Sequence, residues 1–412
     1  MIYWRRILEG KMNRHENAKL NLQYISMQMP YWMGYSVLGT FTSVFLLSRH
    51  FNNGQIGLVL AIANLVATIL QPFIASFADR MQKLTLSHLA AVMAVFIVGF
   101  SLILIVLPSQ FLPVALIYIL LYTSLILLQP ITISVGTFFI SRGYALNFGV
   151  ARGLGSLAFA GASAVTGLLI ERYSANVILF LMTGIFLFFI AATFWIDTRK
   201  TAGKYSASLT DIEITADPVM LEEPSSLPVF IKKYKRFMVL LVGVSMLFVF
   251  HTIGNSYMYQ ILAPLGGTEA NVGSSLSIAA VSELPTMFLF TWLLTRFRCK
   301  SLIRVAAFFF TVKAVLMLLA GNIAMVNVAQ SLQMFGFALH TTASVYYTNQ
   351  IIPQKDLIKG QTLMATANTI GGIAGSFLGG VLLNFFSVQA MLLVGTIISA
   401  TGTLIVFFAA ED

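Results

Sequence analysis

The chain has 412 residues, 58% of them hydrophobic and only 10% charged. No soluble core of this length can absorb so much apolar surface, but lipid can, so the sequence reads as an all-α polytopic membrane protein. The net charge of +10 reflects where the cations lie, not an affinity for nucleic acid.

Spanning-length apolar runs occur at 20–47, 55–77, 85–107, 112–140, 146–170 and 175–196, then at 237–262, 271–295, 302–320, 323–352, 361–385 and 388–409. Between the two sets lies a polar stretch, 197–236, with Asp211, Glu213, Asp217, Glu222 and Glu223 ahead of Lys232–Arg236. It reads as a mobile cytoplasmic linker between an N-terminal half (1–196) and a C-terminal half (237–412). Of the 25 Lys and Arg residues, 21 fall in alternate loops, while the opposite loops carry only Arg49 and Arg172. That asymmetry predicts both termini on the cytoplasmic side of a cell membrane. The opening MIYWRRILEGKMNRHENAK does not read as a cleavable signal peptide. A single cysteine, Cys299, allows no internal disulfide and suggests no metal cluster.

Six runs plus six invite a search for a repeat. The segment starting at Gly167, GLLIERYSANVILFLMTGI, resembles GVLLNFFSVQAMLLVGTI starting at Gly380, and Ile56-Gly57 corresponds to Val272-Gly273. Two parallel six-helix halves form the architecture of the major facilitator superfamily.

Several runs carry a polar face. The tenth shows Gln330, Gln333, Phe337, His340, Ser344 and Tyr347 at spacings of three and four. The first shows Tyr24, Gln28, Tyr31 and Tyr35; the fourth Tyr118, Tyr122, Gln129 and Thr132; the seventh His251, Asn255 and Tyr259. Interhelical hydrogen bonding recruits such residues too. Four stripes in runs 1, 4, 7 and 10, one per three-helix unit, favour a central cavity for a polar organic solute. His251 and His340 are either part of that cavity or satisfied core histidines. Small residues crowd the fifth run (Ala151 to Ala162) and the eleventh (Gly371 to Gly380), as close helix packing requires. Arg152 in the fifth run needs a counter-charge or a solute oxygen.

Glu283 is the only acidic residue deep inside an apolar run, and Lys313 lies near the middle of the next. Each is fifteen residues from Arg298 in the turn between them, roughly 22 Å of helical rise. Equal depth on adjacent antiparallel helices places the two charges to neutralise each other, either as a structural pair or as a coupling device. No P-loop, HExxH or Cys/His cluster competes, so no enzyme, metal or cofactor is expected.

The segment Phe148-Gly149-Val150-Ala151-Arg152-Gly153-Leu154-Gly155-Ser156 resembles the fifth helix of the oligosaccharide:proton symporter group, to which lactose permease belongs. Ser-Glu-Leu-Pro at 282–285 is similar to that group's eighth-helix carboxylate segment, and Thr311-Val312-Lys313 to its ninth-helix Ser-Val-Arg. Gln-Ile-Gly at 55–57 and Phe-Ala-Asp-Arg at 77–80 are similar to the superfamily's second helix and following loop. The resemblance implies that Arg152 holds solute and that Glu283 serves coupling. Departures matter. No glutamate stands near Pro130–Gly136, Phe159 replaces a tryptophan, and Gln333 and Gly336 stand where the permease has its histidine and proton-carrying glutamate. Galactoside specificity does not carry over. His340 and His251 look more like the phenylpropionate and nucleoside permease branch.

Together these readings predict twelve transmembrane helices in two six-helix halves, working as a monomer in the lipid bilayer. The expected activity is proton-coupled uptake of a small polar organic solute such as a sugar, glycoside or nucleoside. An organic anion such as an aromatic acid is the alternative, with drug efflux a more remote one. Glu283, Lys313 and His340 are expected to serve the proton. Arg152, Tyr24, Gln28, Tyr31, Gln129, His251, Asn255, Gln333 and His340 are expected to serve the solute.

Overall fold

The computed structural model of the protein describes residues 2–80, 85–140, 144–196 and 225–411. Most of the expected linker, including its five acidic residues, lies outside the described residues. Twelve spans carry the fold. They are α1 (Ile2–Tyr35, continued by a π-helical turn Ser36–Thr40 and by Thr42–Ser48), α2 (Asn53–Arg80), α3 (Leu86–Val106), α4 (Phe111–Ile140), α5 (Phe148–Arg172) and α6 (Val177–Trp195). The second set is α7 (Lys235–Ser256, continued by Met258–Leu262), α8 (Glu269–Arg296), α9 (Cys299–Leu318), α10 (Ile323–Ser331 and Phe337–Ile351), α11 (Leu357–Phe385) and α12 (Val388–Ala409). Ten of these are long and apolar enough to cross a membrane uninterrupted. The other two, α1 and α10, are broken by non-α turns.

Those breaks fall where the sequence predicts continuous runs. In α10 a 3₁₀ turn, Leu332–Met334, separates the two helices, and Thr286 of α8 donates to the freed Met334 carbonyl at 2.8 Å. A broken helix survives at membrane depth only if the released backbone groups find partners in the protein. Helix starts are set by side-chain caps: Asn147, Asn322 and Ser387 accept from the backbone N–H three residues on, at 3.0, 3.0 and 3.1 Å. Arg49 sews the α1–α2 turn to its neighbours, donating to the carbonyls of Leu104 and Leu107, each at 3.0 Å, and to Asn176 Oδ1 at 3.1 Å.

Helix packing repeats with a period of six. α1 packs on α5 and α6, and α7 on α11 and α12. α3 packs on α4 and α6, and α9 on α10 and α12; α2 packs on α4, and α8 on α10. Two large contacts cross between the halves, α2 with α11 and α5 with α8, and exchanging the halves turns one into the other. The glycines that carry the sequence repeat sit at these crossings. A Cβ on Gly57 would lie 2.7 Å from the Ser376 carbonyl, and one on Gly380 would lie 2.6 Å from the Asn53 carbonyl. A Cβ on Gly167 would lie 2.5 Å from the Glu269 carbonyl, and one on Gly273 would meet the Ser163 carbonyl. Backbone touches backbone there, which only glycine permits. At the same end Gln260 donates to Asn53 (3.0 Å) and Thr268 to Glu171 (3.2 Å) across the halves.

At the opposite end, a short helix, Leu227–Lys233, precedes α7. Within the stretch expected to be linker, Leu227–Lys233 is thus helical and anchored, and α7 begins at Lys235. Asp356, fully buried, accepts from the Ser225 N–H and hydroxyl, each at 2.9 Å, and from the Tyr234 hydroxyl at 3.3 Å.

Candidate functional site: a cavity between the halves

A cavity of about 410 Å³ lies between the halves and is lined from α1, α2, α4, α5, α7, α8, α10 and α11. Ser376, whose carbonyl meets Gly57 and accepts from the Tyr257 hydroxyl (2.5 Å), joins the cavity wall to the α2–α11 crossing. The α2–α11 crossing therefore borders the cavity at that end.

Arg152 enters from α5. Its Nη1 donates to Ser156 Oγ at 2.6 Å, and its guanidinium lies over the Trp32 ring, 4.0 Å from the centroid. Trp32 reaches this place because Gly155 leaves room, since a Cβ there would lie 2.5 Å from the indole. A chain of hydrogen bonds orients the indole. Trp32 Nε1 donates to Gln28 Oε1 (3.2 Å), Gln28 Nε2 donates to the Tyr24 hydroxyl (2.7 Å), and Tyr24 donates to the Thr132 carbonyl (3.3 Å).

Glu283 lines the cavity from α8, 6% exposed. The expected direct meeting with Lys313 is not what the structure shows. Lys313 Nζ donates to Gln333 Oε1 at 2.5 Å, and Gln333 Nε2 donates to Glu283 Oε1 at 3.0 Å. Gln333 sits in the α10 break, so its amide stands between the two charges and satisfies both. Arg152 is within electrostatic reach of Glu283.

On the α7 side, His251 stacks flat on Phe337, ring centroids 4.6 Å apart, and its Nε2 lies 3.1 Å from Asn255 Nδ2. Both His251 and Asn255 line the cavity, as do Gln129, Gln333 and Arg152 among the expected solute residues. Four others do not. Tyr24 and Gln28 turn toward α4 and support Trp32 from behind. Tyr31 is fully buried, edge-on to Trp32 at 5.2 Å, its hydroxyl without a hydrogen-bond partner. His340, 1% exposed, lies among Phe248 and Phe310 at 5.3 and 6.1 Å, behind the wall that Phe337 forms. Lys313 also sits behind the lining, 5% exposed.

The sequence reading misses Trp32, and it misses Asn64, Thr68 and Gln71 of α2 and Asn368 and Thr369 of α11, all of which line the cavity. Asn64, Thr68 and Gln71 recur at spacings of four and three, the same signal that marked the other stripes. In α11 the polar pair Asn368–Thr369 sits among glycines whose spacing is that of close helix packing.

Twelve spans in two pseudo-symmetric halves around one polar cavity define a transporter of major facilitator type, not an enzyme. The chain belongs to the MFS_1-like family, whose profile matches residues 24–394. It is similar to the solved nucleoside transporter NupG, at TM-score 0.72 and 14% identity over 95% of this chain and 98% of that one. An aspartate-to-alanine mutant of NupG gives TM-score 0.77 at 14% identity, over 95% of this chain and 100% of that one. A glutamate-to-glutamine mutant of the peptide transporter POT gives TM-score 0.66 at 11% identity, over 96% and 93% of the two chains. No curated protein matches the chain.

Proposed function

We propose that this transporter is a proton-coupled importer of a small, uncharged polar organic solute that carries hydroxyls and a planar face, such as a nucleoside or a glycoside. The observation that carries the reading is the composition of the cavity wall. Amides (Gln71, Gln129, Asn255, Asn368) alternate with rings (Trp32, Tyr122, Phe159, Phe337) around one guanidinium and one carboxylate. Rings bind a planar face, and amides both donate to and accept from hydroxyls. The likeness of fold to a nucleoside transporter supports this choice. Glu283 takes the proton, while Lys313, reaching it through Gln333, biases its charge state. His340 assists from behind the lining, through the aromatic wall and through Asn368 of α11 beside it.

Within this reading the halves are 1–196 and 237–412, joined by the 197–236 linker. The monomer works in the cell membrane with both termini cytoplasmic, and the cavity is closed on the outer side. Tags at both termini and in the linker should then be protected from external reagents in intact cells, with Arg49 and Arg172 outside. A linker reached from outside would overturn this topology.

A thermal-shift screen of sugars, nucleosides and aromatic acids on the purified protein tests the solute class. An aromatic acid alone shifting the transition would favour the organic-anion reading, which rests on two cations, Arg152 in the lining and Lys313 behind it, facing a single carboxylate. For the ligand found, Arg152→Lys is expected to weaken binding about tenfold or more while the protein folds and inserts normally. An ammonium reproduces neither the planar stack on Trp32 nor paired hydrogen bonds. Titration calorimetry decides: affinity kept within a fewfold would make Arg152 structural.

A further inference from the structure

The segment 225–236, Ser-Ser-Leu-Pro-Val-Phe-Ile-Lys-Lys-Tyr-Lys-Arg, holds four cations and no acid. Its short helix is held down at both ends. At one end, Ser225 gives its N–H and hydroxyl to Asp356, and Lys359 donates to the Ser225 carbonyl. At the other, Tyr234 reaches the same carboxylate. Between them Phe230 is fully buried, 4.6 Å from Tyr234 and 6.3 Å from Phe237, with Lys359 Nζ 5.6 Å from its ring. Phe230 is the only residue of the helix that is buried. Leu227, Val229 and Ile231 remain 50%, 52% and 42% exposed, and Ile358 beside the clamp is 84% exposed.

A clamp this well satisfied does not serve a helix that simply floats in water with branched apolar side chains outward. One residue, Tyr234, separates this helix from Lys235, the first residue of a membrane-spanning helix, so it lies at the level where a bilayer's headgroups begin. Lys232, Lys233 and Lys235 are exposed there, while Arg236 is paired with Glu411 at 3.3 Å. Apolar side chains at acyl depth with lysines at headgroup depth are what an interfacial anchor requires. Asp356 is taken up by Ser225, Tyr234 and Lys359 and Glu411 by Arg236, and the three exposed lysines select anionic over neutral headgroups.

We propose that the 225–236 segment is a docking surface for anionic phospholipid, clamped to the α10–α11 connection by Asp356. Leu227 and Ile231, one turn apart on the same helix face, enter the acyl boundary, and Lys232, Lys233 and Lys235 take the phosphate. The clamp makes the lipid contact a property of the C-terminal half, because Asp356 lies in the connection into α11 and Lys359 in the first turn of α11.

The full-length protein would be released from mixed phosphatidylcholine and phosphatidylglycerol nanodiscs and its retained lipids counted by native mass spectrometry. The wild type should retain phosphatidylglycerol in preference. The triple variant Lys232→Gln/Lys233→Gln/Lys235→Gln, confined to exposed side chains, should lose about tenfold or more of that preference. An unchanged preference in the triple variant overturns the proposal. So does loss of wild-type preference on adding inorganic phosphate, which would mark a general anion site instead. A second measurement is independent of charge: tryptophan in Ile231→Trp should be quenched by brominated acyl chains in the nanodisc, to an extent reduced in the Asp356→Asn background. Fluorescence indifferent to brominated lipid would place the helix in water and sink the idea.

Discussion

Glu283→Gln is expected to abolish accumulation of solute against its gradient while leaving exchange down the gradient. The substitution mimics a permanently protonated acid, and its side-chain carbonyl still accepts from Gln333 Nε2, which now reaches Glu283 Oε1 at 3.0 Å. The fold should therefore persist. A symporter stores work by requiring the proton and the solute to cross together, and a site that cannot release its proton cannot complete a driven cycle. Counterflow and proton-driven uptake in proteoliposomes separate the two activities. A Glu283→Gln protein that accumulates solute with normal proton uptake would refute proton coupling at this site. Lys313→Ala is a different lesion: it leaves Gln333 Oε1 without its donor and Glu283 with less compensating charge, a cost of about 1–3 kcal/mol in a buried network. The double variant Glu283→Gln/Lys313→Ala should be more thermally stable than Lys313→Ala alone.

The architecture was legible because membrane composition and repeats act over long stretches. Apolar runs located the spans, and Gly57, Gly167, Gly273 and Gly380 gave the internal register. Those glycines recur because each half must supply one close crossing to the other. The site was legible in part. A stripe of polar residues shows that a helix has a polar face; it does not show whether a cavity or another helix meets that face. In α1 the neighbour won for Tyr24, Gln28 and Tyr31, and it was Trp32, one position past Tyr31, that reached Arg152. In α10 the 3₁₀ turn at Leu332–Met334 breaks the helical register. Gln333 and Phe337 reach the lining, while His340, four residues after Gly336, falls behind it. Depth arithmetic placed Glu283 and Lys313 on one level, but it could not show that the Gln333 amide stands between them.

Gly57→Leu is expected to shift the protein toward the state open at the end now closed. A bare Cβ at Gly57 already lies 2.7 Å from the Ser376 carbonyl and 2.9 Å from Gly380 Cα. Neither is a flexible side chain that can move aside, so the crossing must separate. Overpacking of this kind costs about 1–3 kcal/mol in the closed state. The open state carries no such cost, and a bias of that size moves a two-state equilibrium by about fivefold to 150-fold. By the symmetry of the halves, Gly273→Leu at the α5–α8 crossing should act in the same direction. The reporter is a single cysteine at Thr252, which lines the cavity, in a Cys299→Ser background. Its labelling by a membrane-impermeant maleimide added from the Arg49 side should accelerate about tenfold or more in Gly57→Leu. Gly161→Ala is the control, because a Cβ there meets nothing within 4 Å, and its labelling rate should match the parent. An unchanged rate in a well-folded Gly57→Leu protein would mean that the α2–α11 crossing is not what seals the cavity.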